Sequence, residues 1–407
     1  MDARNPAGAG QRWFMLAMAT IGFAVNFWAW ALLSPLGTRL KDSLHLSPFQ
    51  QSLVVAVPVI VGSLGRIPVG ALTDKFGGRV MFPLVSALTI IPVLYLGLAG
   101  HSSLAALLVG GFFLGIGGTA FAVGVPFVNA WFPPQQRGAA IGVFGAGMGG
   151  TAISALTTVN LVKAHGFATP FVLTAIVLAV YAVLAALLLR DAPGRKVPTE
   201  PVTRRLAASA RLGVTWQAGA LYAVAFGGYV AFSVYLPTYL RNAYDLTQTD
   251  AANRTAGFVL LAVAARPLGG WLSDRFGPTP VLLAAFAVVT AAAAGQATTP
   301  TLVPPGTVAF LAMAAALGAG SGAVFALVAL LSPAAQVGSV TGIVGAAGGL
   351  GGFVPPLVMG AVYSRNHSYG IGLALLAVVA AAAVVFTATV VRHALGRRSP
   401  AAAAGQS

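Results

Sequence analysis

A chain of 407 residues that is 57% hydrophobic and only 8% charged cannot build an ordinary water-facing surface, because a soluble domain carries about 25% charged residues. The formal charge of +15 at first suggests nucleic acid, but basic residues gathered on one side are the usual signature of membrane topology, and nucleic acid is set aside. The absence of cysteine excludes disulfides and thiolate metal sites.

A spanning helix needs roughly 20 apolar residues, and only helices or closed barrels satisfy their backbone in lipid. The apolar runs far exceed the ~10-residue alternating segments of a barrel, so the fold class is an all-α membrane protein. Arg4 and Arg12 precede a first run that continues to about Ser34 with no cleavage site, which reads as a span and not a signal peptide. In chain order the runs predict spans 1 to 12 at 13–38, 48–73, 80–99, 103–130, 138–162, 168–189, 214–240, 255–273, 280–298, 304–331, 338–363 and 369–391. A polar, proline-rich and basic stretch, 191–213, reads as a linker between an N-terminal six-helix bundle (1–190) and a C-terminal one (214–398), with 399–407 a disordered tail. Of the 23 Lys and Arg, fifteen fall on the linker side, six on the opposite side, and Arg66 and Arg266 inside spans. That asymmetry predicts a cytoplasmic linker and cytoplasmic termini.

The two halves repeat. Arg66-Ile-Pro-Val-Gly70-Ala-Leu-Thr-Asp74-Lys-Phe-Gly77 aligns with Arg266-Pro-Leu-Gly-Gly270-Trp-Leu-Ser-Asp274-Arg-Phe-Gly277 at an offset of 200 residues. The same offset relates Gly142, Gly145 and Gly149 of span 5 to Gly342, Gly345 and Gly349 of span 11. Parallel repeats mark carriers whose substrate site lies between the halves near the midplane, so the fold expected is two pseudo-symmetric six-helix bundles.

Arg66 lies about 12 Å from the linker-side end of span 2 at helical rise, too deep for easy snorkelling. A structural ion pair would need an acid at that depth. The eight acids are Asp2, Asp42, Asp74, Asp191, Glu200, Asp245, Asp250 and Asp274, all in loops or at span ends. The arginines therefore read as one divided anion site, since guanidinium is a planar donor fork suited to flat oxyanions. Gly145, Gly149, Gly345 and Gly349 permit tight helix packing and also let bare backbone approach the anion. Asn26 in span 1 is a further polar candidate, with bonding to a neighbouring helix as the alternative.

The segment Gly70-Ala-Leu-Thr-Asp74-Lys75-Phe-Gly77-Gly78-Arg79 resembles the loop 2–3 signature of the major facilitator superfamily. The two arginines, the paired glycine spans and Ala265-Arg266-Pro267-Leu-Gly269-Gly270-Trp271 resemble the nitrate/nitrite porter family within it, over essentially the whole chain. The resemblance implies the major facilitator fold, a bacterial inner-membrane location, a monomer, no cofactor, and nitrate or nitrite as the small inorganic anion. It further implies that Tyr222, Phe226 and Phe121 pack around the anion, and that Asp74, Lys75, Arg79, Asp274 and Arg275 form rim latches. The family places an asparagine in span 5 against substrate; Met148 and Gly149 stand there in this chain.

Alternating access with nitrate/nitrite exchange is the expected mechanism, because two cations without an anion resist closure in a drying cavity. Proton symport, another small anion, and a passive anion channel remain alternatives. A drug exporter or a membrane enzyme would require intramembrane acids or paired ligands that this sequence lacks.

Overall fold

The computed structural model describes residues 8–133, 136–193, 200–332 and 337–391. Among them the regular structure is helical, and twelve helices are long and apolar enough to cross a membrane. Spans 1 to 6 are Gly10–Leu44, Pro48–Phe76, Gly78–Leu98, Leu104–Trp131, Ala140–His165 and Thr169–Leu188. Spans 7 to 12 are Gly213–Tyr244, Gln248–Phe276, Pro278–Ala297, Leu302–Leu331, Ser339–Asn366 and Gly370–Val391.

Each span falls where an apolar run predicts it, but the ends differ. Span 1 carries Arg39, Lys41 and Asp42 on a final helical segment, Gly37–Leu44. Span 8 starts at Gln248, seven residues before the predicted 255, because Thr247 caps it by accepting from the Asp250 N–H at 3.2 Å. Hydropathy sees only the apolar length of a helix, whereas caps and charged turns extend it into the polar interface.

Spans 1 and 7 are the most enclosed, with 78% and 83% of their apolar windows buried, and spans 6, 9 and 12 the least, at 33% each. The core therefore sits around spans 1 and 7. Large apolar side chains such as Ile91, Leu187 and Val378 are exposed; so much exposed apolar surface suits lipid and not water.

The repeat is carried in the packing. A Cβ at Gly118 would lie 2.8 Å from the Gly62 Cα, and one at Gly318 would lie 2.9 Å from the Ala262 Cα. Spans 2 and 4, and likewise spans 8 and 10, thus meet backbone to backbone, as small residues allow in membranes. Helix regularity repeats only in part: span 11 is interrupted between Gly351 and Val354, near the position equivalent to the turn in span 5, but the breaks in spans 2 and 4 have no counterpart in spans 8 and 10. Span 2 divides at Gly65 into Pro48–Leu64 and Arg66–Phe76. Spans 4 and 5 pass through tight 3₁₀ turns at Gly115–Thr119 and Ala146–Gly149. Spans 7 and 8 run unbroken.

The linker contains a short helix, Val202–Ala210. Its last turn is held to span 7, where Thr215 Oγ1 donates to the Ser209 carbonyl at 2.6 Å and Trp216 Nε1 to the Ala210 carbonyl at 2.7 Å. This side is called the linker end. At the far end the first and second halves are pinned together. Ser34 Oγ donates to the Val234 carbonyl at 2.7 Å, and Arg241 donates to Thr38 Oγ1 at 2.9 Å while pairing with Asp42 at 3.3 Å. Part of the predicted linker (194–199) and the predicted tail (399–407) lie outside the described residues.

Candidate functional site

Arg66 begins the second segment of span 2, directly after the break at Gly65. A Cβ at Gly65 would lie 2.5 Å from the Val61 carbonyl oxygen and 2.9 Å from Thr119, so the close approach of span 4 behind the arginine depends on glycine. The side chain is 3% exposed. It crosses to the second half, where Nη1 donates to the Gly345 carbonyl of span 11 at 2.8 Å, while Nε donates to the Gly118 carbonyl of span 4 at 3.3 Å.

Arg266, 5% exposed, makes the reciprocal crossing. Its Nη1 donates to the Met148 sulfur of span 5 at 3.0 Å, and its Nη2 to the Tyr222 hydroxyl of span 7 at 3.0 Å. A Cβ on Gly145, the repeat mate of Gly345, would lie 3.6 Å from Arg266 Cδ and Nε. Each arginine is thus lodged against the glycine-rich span of the opposite half.

Both guanidiniums lie over the same two rings. Arg66 Cζ is 5.1 Å from the Phe121 centroid and 5.4 Å from that of Phe226; Arg266 Cζ is 5.9 Å and 5.6 Å from the same rings. Phe121 and Phe226 stack at 6.5 Å, and Tyr222 continues the stack on Phe226 at 4.9 Å with 5° between planes. Phe325 closes the wall beside Arg266 at 5.7 Å. Cation–π contact contributes about 0.5–2 kcal/mol per pair, against several kcal/mol for holding an arginine at this depth. Among the described residues no carboxylate pairs with either arginine, so neutral carbonyls, a hydroxyl, a thioether and ring faces are their partners.

Of the residues expected at the anion, the structure brings together Arg66, Arg266, Tyr222, Phe226, Phe121, Gly145 and Gly345. Asn26 is elsewhere. Its amide donates to the Gly22 carbonyl and to Ser86 Oγ, each at 2.8 Å, and its carbonyl oxygen accepts from Thr89 at 3.5 Å; it joins span 1 to span 3. Gly349 lies on the seam between spans 11 and 2, where any Cβ would collide with Ser63, and Gly149 has open space around it.

At the rim, Asp74 pairs with Arg205 of the linker helix at 2.7 Å. Asp191 accepts the Arg79 backbone N–H at 3.2 Å. Lys75 lies over the ring of its neighbour Phe76 at 5.3 Å. The second copy is not symmetric with the first. Asp274 and Arg275 are exposed, Arg275 lies over Trp271 and Phe276, and Asp274 has no ion-pair partner among the described residues.

Sequence reasoning missed three contributors. Met148 was visible only as a departure from the family's asparagine, yet it touches Arg266. Phe325 carries no signal that separates it from a lipid-facing aromatic. Arg205 counted only as linker charge.

The Major Facilitator Superfamily family model matches residues 19–252 and 219–406. The chain is 50% identical over 378 residues to a probable nitrate/nitrite transporter, NarK2, of Mycobacterium tuberculosis, covering 92% of this chain and 95% of that protein. It is 38% identical to a nitrite extrusion protein of Bacillus subtilis, covering 91% and 92%. Among solved structures it superposes on a bacterial homologue of the human lysosomal transporter Spinster with a TM-score of 0.72 at 19% identity, covering 95% of this chain and 98% of that one. That likeness supports the twelve-helix fold alone. With matches of this extent, the chain belongs to the nitrate/nitrite porter family of the Major Facilitator Superfamily.

Proposed function

We propose that this transporter exchanges nitrate and nitrite across the bacterial cytoplasmic membrane by alternating access, with the anion bridging Arg66 and Arg266. The observation that carries the reading is the placement of two buried guanidiniums over the same pair of rings, held by neutral acceptors. A planar monoanion would take several of their N–H donors in place of those acceptors and neutralise part of the charge. Phe121 and Phe226 would bound it on its flat sides and exclude water. The relatives named for nitrate and nitrite support this choice of anion.

The exchange component follows from electrostatics. Closing the halves around two cations in a low-dielectric interior is costly, and a bound anion offsets that cost, so a loaded carrier turns over faster than an unloaded one. The bundles 1–190 and 214–398 would be the moving bodies, with the linker and both termini cytoplasmic as the basic-residue asymmetry favours.

The test is counterflow in proteoliposomes. Trapped nitrite should accelerate uptake of ¹⁵N-nitrate. Flux that ignores trapped nitrite would point to a channel, and uptake driven only by an imposed pH gradient would point to proton symport; either result overturns exchange.

A further inference from the structure

A cavity of about 100 Å³ runs from Arg66 and Phe121 past Asp74 to Arg205 and Leu206 of the linker helix. The linker, which on sequence is a tether, thus forms part of the wall on the way out from the buried arginines. Arg205 is held there by one prong, Nη2 on Asp74 at 2.7 Å. Its other prong, Nη1, is buried and has no hydrogen-bond partner among the described residues. A guanidinium serving only as a salt-bridge partner would ordinarily use both prongs on the carboxylate, and a buried donor left unused carries a cost.

We propose that Arg205 is a second station for a small oxyanion, between Arg66 and solution at the linker end. The cavity has room for a planar four-atom anion with attendant water. A positive group at each end, inside walls of low dielectric, raises the local anion concentration. Span 11 adds Ser339 and Thr341 to the lining, and their hydroxyls can donate to an anion in transit. Asp74 positions Arg205 and tempers its charge, so the station binds weakly enough to release. This inference rests on the proposed role of Arg66 and Arg266, because a relay has meaning only if an anion reaches them.

The test measures ¹⁵N-nitrate flux from each face separately, in proteoliposomes with the carrier in one orientation. Arg205→Gln should raise the half-saturating concentration at the linker face about 5-fold, the scale of one half-exposed charge-assisted contact, and leave the far face unchanged. Arg205→Lys should recover most of the loss. Asp74→Asn keeps an acceptor oxygen to position Arg205 but removes the negative charge that tempers it, and should lower the linker-face value. If Arg205 is only a latch, Asp74→Asn and Arg205→Gln will raise it together, and the station is wrong. Absence of nitrate or nitrite flux in the unmodified protein overturns the proposed function itself. Normal flux with Arg205→Gln unchanged at both faces overturns this inference alone.

Discussion

Gly145 and Gly345, 200 residues apart in sequence, each lie beside the arginine of the opposite half: Gly345 offers its carbonyl to Arg66 at 2.8 Å, and a Cβ on Gly145 would be in van der Waals contact with Arg266 at 3.6 Å. The exchange makes the two arginines interdependent. If the halves rock against each other, as the proposed alternating access requires, each guanidinium moves relative to the glycine span that holds it. In the proposed exchange, a bridging anion would keep both charges satisfied through that motion.

Replacing either arginine by lysine should test the planar fork directly. Lysine keeps the charge but loses the paired donors and much of the stacking on Phe121 and Phe226. Arg66→Lys and Arg266→Lys should each lower transport on the order of 100-fold while membrane insertion and thermal stability stay near those of the parent. Uptake per mole of folded carrier measures this, and normal uptake by either variant would remove that arginine from the site.

Met148 gives a prediction of opposite sign. Its sulfur occupies Arg266 Nη1 at 3.0 Å, so an anion that takes this donor must displace a weak acceptor. Met148→Leu keeps most of the volume and removes the competitor. The half-saturating nitrate concentration should fall about 2- to 5-fold, the scale of one modest hydrogen bond. An unchanged or raised value would mean that the anion does not claim Nη1.

The glycines on the two spans should separate into packing and open positions. Gly349→Ala drives a methyl into Ser63 on the seam between spans 11 and 2. Overpacking of this kind costs about 1–3 kcal/mol, so turnover should drop on the order of 10-fold. Gly149→Ala meets open space and should transport normally. Counterflow rates of the two variants, side by side, decide this.

The spans were legible because apolar length survives in sequence, and the meeting of Arg66 and Arg266 over Phe121 and Phe226 was legible because the repeat placed one arginine in each half with no acid at that depth. Helix ends were less so: Thr247 and Gly37–Leu44 extend spans 8 and 1 through capping and charged turns that hydropathy does not register. Asn26 shows the limit for a single polar residue. Its type and depth fit a ligand, but its direction depends on Ser86 and Thr89 in span 3, which no spacing rule connects to it. The asymmetry between Asp74 and Asp274 was invisible for a similar reason, since the same motif lies beneath the linker helix in only one half.

The far end supplies the last prediction. Arg241 donates to Thr38 and pairs with Asp42, both on the final part of span 1, next to the Ser34–Val234 bond. The ion pair is half-exposed and contributes little alone, but with the neutral bonds it fastens span 7 to span 1 across the two halves. Arg241→Gln should therefore populate a form opened at the far end. The chain has no cysteine, so a single Ser34→Cys reporter, buried at 4% exposure in the parent geometry, can read that opening. Labelling by a hydrophilic maleimide should run about 3-fold faster with Arg241→Gln than without it, in line with a loss of under ~1 kcal/mol. Saturating nitrate should change the rate in both backgrounds if occupancy biases the same equilibrium. Equal labelling with and without Arg241→Gln would mean that these contacts do not hold the far end shut.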